Sequence, residues 1–512
     1  MPSPVNSEAP SPAPGHFDHG RGDFSVKGAA LWAAASQYCL FALQFVTSVI
    51  ISRFFLLPEE VGLFSVALAA AMILSIIQDF GLTRYIGGHP TADEATLRSC
   101  MVIAIVFAFI LVATIVGLAW PVAAFYAEPR LGPILALIGL SYLFVPWSIV
   151  PLALISRRLD FKRAFAVNIS GAIASSAVAL TLAALGFSAE SLAWAMIAQA
   201  VTRSVVAQIA CPTPIHLPTS LTNLRAILGF GSASTVLYFS GGIGMRTPDM
   251  IVGRLLGMAS AGLFSRGAAL AGHLHVLVAG AVSSVYYPAF ARLSDEGADL
   301  GPYYERVVAA HGAIVWPAMV LLAVLAEPVV LLLYGEAWAD AAPLLAWVAI
   351  AECFFVAVPL HMDLPILLGR LRQLIAVNFA DTALSVATLV AGAMIGLQEA
   401  AASRIAYGLG WFFLYVFWIQ RLVGFNWPAM LRIYVSSAIL ALLCAAPAIW
   451  AVTWWRTPAT LGLDGIAVAA IASAAVWLAA VFVLRHPARS DLVGTAMHAL
   501  GPVLTRLRPR TA

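Results

Sequence analysis

Apolar residues in this chain come in runs of about twenty, interrupted by short polar or Gly/Pro breaks, and that pattern predicts membrane-spanning helices rather than strands. The runs begin near residues 28, 60, 99, 131, 164, 190, 230, 258, 307, 342, 373, 403, 430 and 462. Crossing roughly 30 Å of hydrocarbon takes about 20 residues of helix, so the pattern predicts about 14 transmembrane helices. The longest breaks, about 79–98 and 286–306, are loop-sized and leave no room for a folded domain outside the bilayer. The predicted fold is therefore an all-α polytopic membrane protein.

Both ends depart from this pattern. Residues 1–27 are polar and rich in Pro, Ser and Gly, which predicts a disordered tail. Near the other end Leu492, Val493, Ala496, Met497, Leu500, Val503, Leu504 and Leu507 recur at helical spacing. Arg485, Arg489, Arg506, Arg508 and Arg510 flank them, so 485–512 reads as a basic amphipathic tail suited to an anionic membrane face.

Composition sharpens the class. Charged residues make up 10% of the chain and hydrophobic ones 62%, where a soluble domain carries about 25% charged. That excludes an ordinary cytosolic enzyme, a disordered scaffold and a nucleic-acid binder. The net charge of +3 identifies no partner. The five cysteines are scattered through apolar runs without metal-ligand spacing and read as small buried hydrophobes. No Walker A loop, HExxH, GxSxG or acidic metal cluster is present, so no catalytic residue, metal or cofactor is expected.

The basic residues set an orientation. Placing the N-terminus in the cytoplasm puts about three quarters of the 28 Lys and Arg on the inner side, with RRLDFKR (157–163) the densest cluster. Both termini are then cytoplasmic.

An internal duplication organises the chain. VIISRFFLLPEEVGLFS (49–65) aligns with MIVGRLLGMASAGLFS (250–265), so Arg53 faces Arg254 and GLFS recurs at 62–65 and 262–265. FYAEP (125–129) then pairs with LYGEA (333–337), VPL (150–152) with VPL (358–360), and AVN (166–168) with AVN (376–378). A repeat of six spans starts and ends on one side of the membrane. The halves are therefore parallel, related by a pseudo-twofold axis along the membrane normal, with the substrate site expected between them. The predicted units are six-helix bundles at 28–211 and 222–425, followed by two appended helices at 430–484.

Six plus six spans with two more at the C-terminus, no ATP-binding motif and no soluble domain resemble the multidrug/oligosaccharidyl-lipid/polysaccharide exporter superfamily. Within it, PDMIVGRLLGMASAGLFSRGAAL (248–270), LLYGEAW (332–338) and RRLDFKRAFAVNI (157–169) are similar to stretches of the polysaccharide transporter family of Wzx-type flippases. The resemblance covers roughly residues 25–425. Phe64 and Phe264 stand where that family often has Tyr, which removes a hydroxyl without touching the fold. The resemblance implies transport of a polyprenyl-diphosphate-linked oligosaccharide across the bacterial inner membrane for surface or exopolysaccharide assembly. It also implies polysaccharide polymerase and chain-length machinery as partners, alongside the bilayer itself.

Charges inside spans are costly, about 2.5–3.5 kcal/mol at a helix centre, so each is a functional candidate. Arg246 lies about 12 Å deeper than Arg254, and Asp249, three residues on, shares its face and is the candidate for a paired or gating contact with it. The surrounding SGGIGMRTPD (240–249) is the Gly/Pro-interrupted kind of span that marks transporter sites. Arg266 and His273 are seven residues apart on one helix face, with His275 nearby. Together with Arg53, Arg246 and Arg254 they are the candidates for a cationic substrate cavity, since arginine forks bind phosphate. Glu327, Glu352 and Asp381 are the candidates for Na⁺ or H⁺ coupling, and Asp79 with Arg84 for paired or gating contacts at the inner end of the second span. The leading expectation is an ion-coupled alternating-access flippase rather than an enzyme. The competing expectations are a lipid II or multidrug exporter of the same superfamily and, in another class, a polysaccharide polymerase or ligase, for which the loops are too short.

Overall fold

A computed structural model describes residues 26–79, 82–88, 94–158, 160–213 and 246–490, with 229 and 244 singly between them. Residues 1–25 of the expected N-terminal tail, Gly241 and Gly242 of the interrupted span, and 491–512 of the basic tail lie outside the described residues.

Every regular element among the described residues is helical. The first half comprises α1 (Val26–Phe54), α2 (Pro58–Asp79), α3 (Leu82–Gly88), α4 (Glu94–Tyr126), α5 (Leu131–Ser141), α6 (Pro146–Arg157), α7 (Phe161–Ala184) and α8 (Glu190–Ala210). The second half comprises α9 (246–256), α10 (Met258–Asp295), α11 (Gly301–Val324), α12 (Ala326–Tyr334), α13 (Ala341–Val356), α14 (Asp363–Leu367), α15 (Leu371–Ala393) and α16 (Leu397–Val423). α17 (Trp427–Trp450) and α18 (Leu463–Val483) follow.

Among the described residues, ten helical spans are long and apolar enough to cross a membrane, and the pair α5/α6 makes an eleventh with a 48° bend. Pro146, at the start of α6, explains that bend because its ring removes a backbone donor from the ladder. α10 and α13 lie in two further expected runs, and α9 covers the described end of the run that begins near residue 230.

The ninth run differs from expectation. α11 stops at Val324, and Leu325 separates it from the short α12. Glu327 and Pro328 form the first turn of α12, where a proline lacks no needed donor and a carboxylate meets the positive end of the helix dipole. Glu327 is exposed there, at the turn-face end of the ninth run.

Successive antiparallel helices give the bundle two faces. One, the turn face, carries the tight turns at 55–57, 127–130, 185–189, 257, 335–340 and 394–396. The other, the terminal face, carries the beginning of α1 and the end of α18. On the turn face Arg130 bridges Glu59 and Glu128. Its hydrogen bonds hold the Glu128 carboxyl below the usual carboxylate range.

The repeat read in the sequence is a physical contact. α2 and α10 pack along each other as the main seam between the halves. A Cβ at Gly62 would overlap the Met258 carbonyl, and one at Gly262 would overlap the Pro58 carbonyl, so the two backbones approach as only glycine permits. One turn further in, the Ser65 and Ser265 hydroxyls lie 3.0 Å apart. The two GLFS copies thus meet across the pseudo-twofold axis.

Two related clips flank that seam. Tyr126 donates to the Met250 carbonyl at 3.1 Å, and the fully buried Trp338 donates to the Ser52 carbonyl at 2.8 Å. Each fixes the turn-face end of one half to the first helix of the other.

The appended pair packs on α11. Gly312 sits against Ser437 of α17, and Trp477 of α18 donates to the Ala313 carbonyl at 2.7 Å. Just past α18, His486 Nε2 lies 3.0 Å from the Ser437 hydroxyl. Burial pushes the His486 imidazole down to about 4, so it makes this contact as a neutral ring.

Candidate functional site

Beneath the α2/α10 seam, on the first-half side, lies a cavity of about 650 Å³. Its floor and walls come from α1, α2, α7 and α8, while α9 and α10 close it from the second half. Phe64 and Leu68 of α2, and Ala172, Ala179, Leu192, Ala195 and Met196 of α7 and α8, supply its apolar surface. Small residues on α7 and α8 leave the space that larger ones would fill.

Among the described residues, the cavity's basic side chains come from α9 and α10: Arg246, Arg266 and His273. Arg266 donates from Nη1 to the Ser48 hydroxyl at 2.5 Å, and its buried Nε has no hydrogen-bond partner among the described residues. His273 meets Phe41 and Phe45 edge-on at centroid distances of 5.2 and 6.1 Å, and its Nδ1 is also buried without a partner. No carboxylate lines this cavity among the described residues. Buried donors left unspent beside such a space favour an anionic or acceptor-rich occupant.

A second cavity of about 220 Å³ lies on the other side of Arg246, which lines both. Asp249, Phe264, Ser265, Glu352 and Arg404 also face it. Phe64 and Phe264, the matched positions of the repeat, therefore face one cavity each. Glu352 Oε2 lies 2.7 Å from His275 Nδ1. His275 is two residues from His273, a rotation of about 200° on a helix, and this turns it away from the large cavity toward α13.

Asp381 sits deeper in the second half. It accepts from the hydroxyl of Tyr407 at 2.8 Å and from that of Tyr415 at 3.4 Å. Arg404 lies 4.5 Å over the Tyr407 ring and donates to Ser385 at 3.2 Å. It feels the charges of both Glu352 and Asp381. The second half thus holds a mixed-charge network, and the first half's cavity a cationic rim.

The remaining candidates fall elsewhere. Arg53 and Arg254 are exposed on the turn face and do not line either cavity. Arg53 donates to the Leu331 carbonyl at 3.3 Å and to that of Leu332, near the end of α12, while Arg254 lies 4.9 Å over the Phe125 ring. Each reaches from one half to the other, because a long side chain at a helix end extends toward the interface. Asp79 ends α2, and Arg84 lies in α3; the side chains of both are outside the described residues.

Sequence reasoning missed two things. Arg404 is not among the candidates, since nothing in its own segment reveals the carboxylates on α13 and α15. The uncharged polar wall of the large cavity was also missed: Gln44, Thr47 and Ser48 on α1, Ser175 and Ser176 on α7, and Gln199 on α8. Its signal was present, as 44, 47 and 48 follow helical spacing within an apolar run.

Comparison with known proteins completes the site. The family described as "Polysaccharide biosynthesis protein" matches residues 50–343. The chain is 25% identical over 321 residues to the succinoglycan biosynthesis transport protein ExoT of Rhizobium meliloti (strain 1021), covering 63% of this chain and 65% of that one. It is 20% identical to the lipopolysaccharide biosynthesis protein WzxC of Escherichia coli (strain K12), covering 62% and 64%. The match thus spans just under two thirds of the length of either relative. Among solved structures it is similar to the lipid II flippase MurJ in an inward closed conformation. That likeness has a TM-score of 0.70 at 11% identity, covers 90% of this chain and 100% of the other, and shows the fold.

Proposed function

The chain belongs to the polysaccharide biosynthesis protein family, and on that premise we propose that it is a flippase for a polyprenyl-diphosphate-linked oligosaccharide repeat unit. The observation that carries this reading is the inter-half cavity with Arg246, Arg266 and His273 on one wall and no carboxylate among its described lining. A diphosphate carries about two negative charges, and guanidinium forks suit it better than any other side chain. The halves 28–211 and 222–425 act as the moving units, with 430–484 appended to the second. The protein sits in the bacterial inner membrane with both termini in the cytoplasm, so the turn face is periplasmic and closed in this conformation. It transports rather than catalyses, and it delivers repeat units to a polysaccharide polymerase and its chain-length machinery.

Deleting the gene tests the reading. Lipid-linked repeat units are expected to accumulate on the cytoplasmic leaflet while surface polysaccharide is lost, and the intact gene restores both. Unchanged lipid-linked pools and unchanged polysaccharide, in a strain with no second flippase gene, overturn it.

Ion coupling is assigned to Glu352 and Asp381, supported by their place in the network of His275, Arg404, Tyr407 and Tyr415. A gradient supplies about 2.3 kcal/mol per charge per 100 mV, enough to speed transport tenfold or more. In proteoliposomes, an imposed Na⁺ or pH gradient is expected to accelerate the parent protein. Glu352→Gln and Asp381→Asn should lose that acceleration, and full acceleration in both variants removes the assignment.

A further inference from the structure

Past α18 the chain folds back onto α17. Arg485 takes a φ of 48°, and His486 and Ala488 behind it are buried. His486 accepts from the Ala488 amide at Nδ1, 3.2 Å away, so its Nε2–H is the group that donates to Ser437. That ring is neutral. The charge of this turn is carried by Arg485 and Arg489, which stand exposed on either side of it. Helix register brings two more arginines to the same level. Trp477 of α18 stands opposite Ala313 of α11, and Ser437 of α17 opposite Gly312. Five to eight residues nearer the terminal face, about 8–12 Å at 1.5 Å per residue, the three elements reach Arg306, Arg432 and Arg485. Arg306 and Arg432 are exposed as well.

None of these four arginines forms an ion pair with a described residue, whereas Arg98, Arg130, Arg163 and Arg456 each face a carboxylate. The denser cluster at 157–163 contains its own counter-charge, as Asp160 lies 3.4 Å from Arg163. Of the carboxylates flanking the start of α11, Asp299 accepts from the Gly301 amide at 3.0 Å and Glu305 from that of Asn426 at 2.8 Å. Arg306 lies 5.7 Å over the Tyr303 ring and Arg489 5.3 Å over that of Phe482. A guanidinium laid on an aromatic face keeps its N–H edge free for an oxyanion. Beside the arginines, Leu431, Val435 and Val483 expose apolar surface on α17 and α18.

We propose that this end of the appended pair binds an anionic glycerophospholipid from the leaflet on the terminal face, which is cytoplasmic in the topology proposed above. Arg306, Arg432, Arg485 and Arg489 hold its phosphodiester headgroup, as basic groups between membrane helices hold acidic headgroups elsewhere. Leu431, Val435 and Val483 lie against its acyl chains. A free phosphate matches the cations alone and leaves the apolar flank unused, while a lipid satisfies both. A zwitterionic lipid adds a cation of its own to an already cationic surface and is disfavoured. The site lies apart from both cavities and does not depend on what the large one carries.

Dioctanoyl phosphatidylglycerol and dioctanoyl phosphatidylethanolamine are the probes, added to the detergent-solubilised full-length protein and counted as bound lipid by native mass spectrometry. The parent should retain phosphatidylglycerol at concentrations where phosphatidylethanolamine dissociates. An arginine near acidic lipid contributes about fivefold to affinity, so Arg432→Gln/Arg485→Gln/Arg489→Gln should weaken phosphatidylglycerol at least about tenfold. Arg98→Gln/Arg163→Gln, on the same face but paired with carboxylates, should bind like the parent, and so should Arg266→Met in the large cavity. If the triple variant does not fold, Arg485→Gln alone should lose about fivefold. Equal retention of the two lipids, or parent-like retention in the variants of these arginines, overturns the site. Loss in Arg266→Met with retention in the triple variant puts the lipid in the large cavity and overturns it as well. Displacement by glycerol phosphate as readily as by phosphatidylglycerol overturns the lipid in favour of a free phosphate.

Discussion

Oxidising a Ser65→Cys/Ser265→Cys protein should stop transport, and reducing it should restore transport to the level before oxidation. The hydroxyls at these positions are 3.0 Å apart across the α2/α10 seam, so thiols placed there can close a bridge without pulling either helix out of register. One turn away, Gly62 and Gly262 hold the backbones in contact against the Met258 and Pro58 carbonyls. Opening the turn face needs this seam to part, and a covalent bond across it forbids that. The native Cys39 is exposed and Cys353 half-buried, so each single-cysteine variant serves as the control for unrelated cross-links. Transport that continues at the parent rate in fully cross-linked protein means that the halves do not rock about this contact.

The seam also shows how far the sequence could be read. Matching GLFS words 200 residues apart implied a duplication, and the chain brings those very words together because a pseudo-twofold axis maps each onto the other. Helical periodicity was sufficient to put Arg266 and His273 on a common wall, since seven residues make nearly two turns. It was insufficient for His275, whose partner Glu352 lies 77 residues away on another helix. Depth was the weaker argument. Arg53 and Arg254, aligned by the repeat, each reach across to the other half at the turn face instead of lining the described cavity. Depth counted along one helix does not say which neighbour stands opposite, and an arginine side chain is long enough to reach a different layer. Glu327 stands in the first turn of α12, because a Glu-Pro pair begins a helix as readily as it interrupts one. Arg404 and the polar wall became visible only when helices distant in sequence were packed together.

Replacing Arg266 should separate function from stability in a way that identifies its role. Its guanidinium is buried with a single hydrogen bond, to Ser48, and its Nε has no partner among the described residues. Among the described residues, no carboxylate lines the cavity on which it opens. Such a buried, under-satisfied donor costs the fold about 1–3 kcal/mol, so Arg266→Met should melt at or above the temperature of the parent protein. Transport should nonetheless fall by about tenfold to a hundredfold, the value of one charge-assisted hydrogen bond to a phosphate of about 1.5–3 kcal/mol. Arg246 should behave differently, because it shares its helix face and the small cavity with Asp249. Arg246→Met leaves that carboxylate without its neighbouring cation and should lower both stability and transport. Adding Asp249→Asn removes the stranded charge, so the double variant should regain stability and remain inactive. Thermal melting in detergent and restoration of polysaccharide in the deletion strain check both halves of the expectation. If Arg266→Met destabilises the protein, or the double variant transports like the parent, these arginines serve the fold, and the cationic wall is not where the headgroup is held.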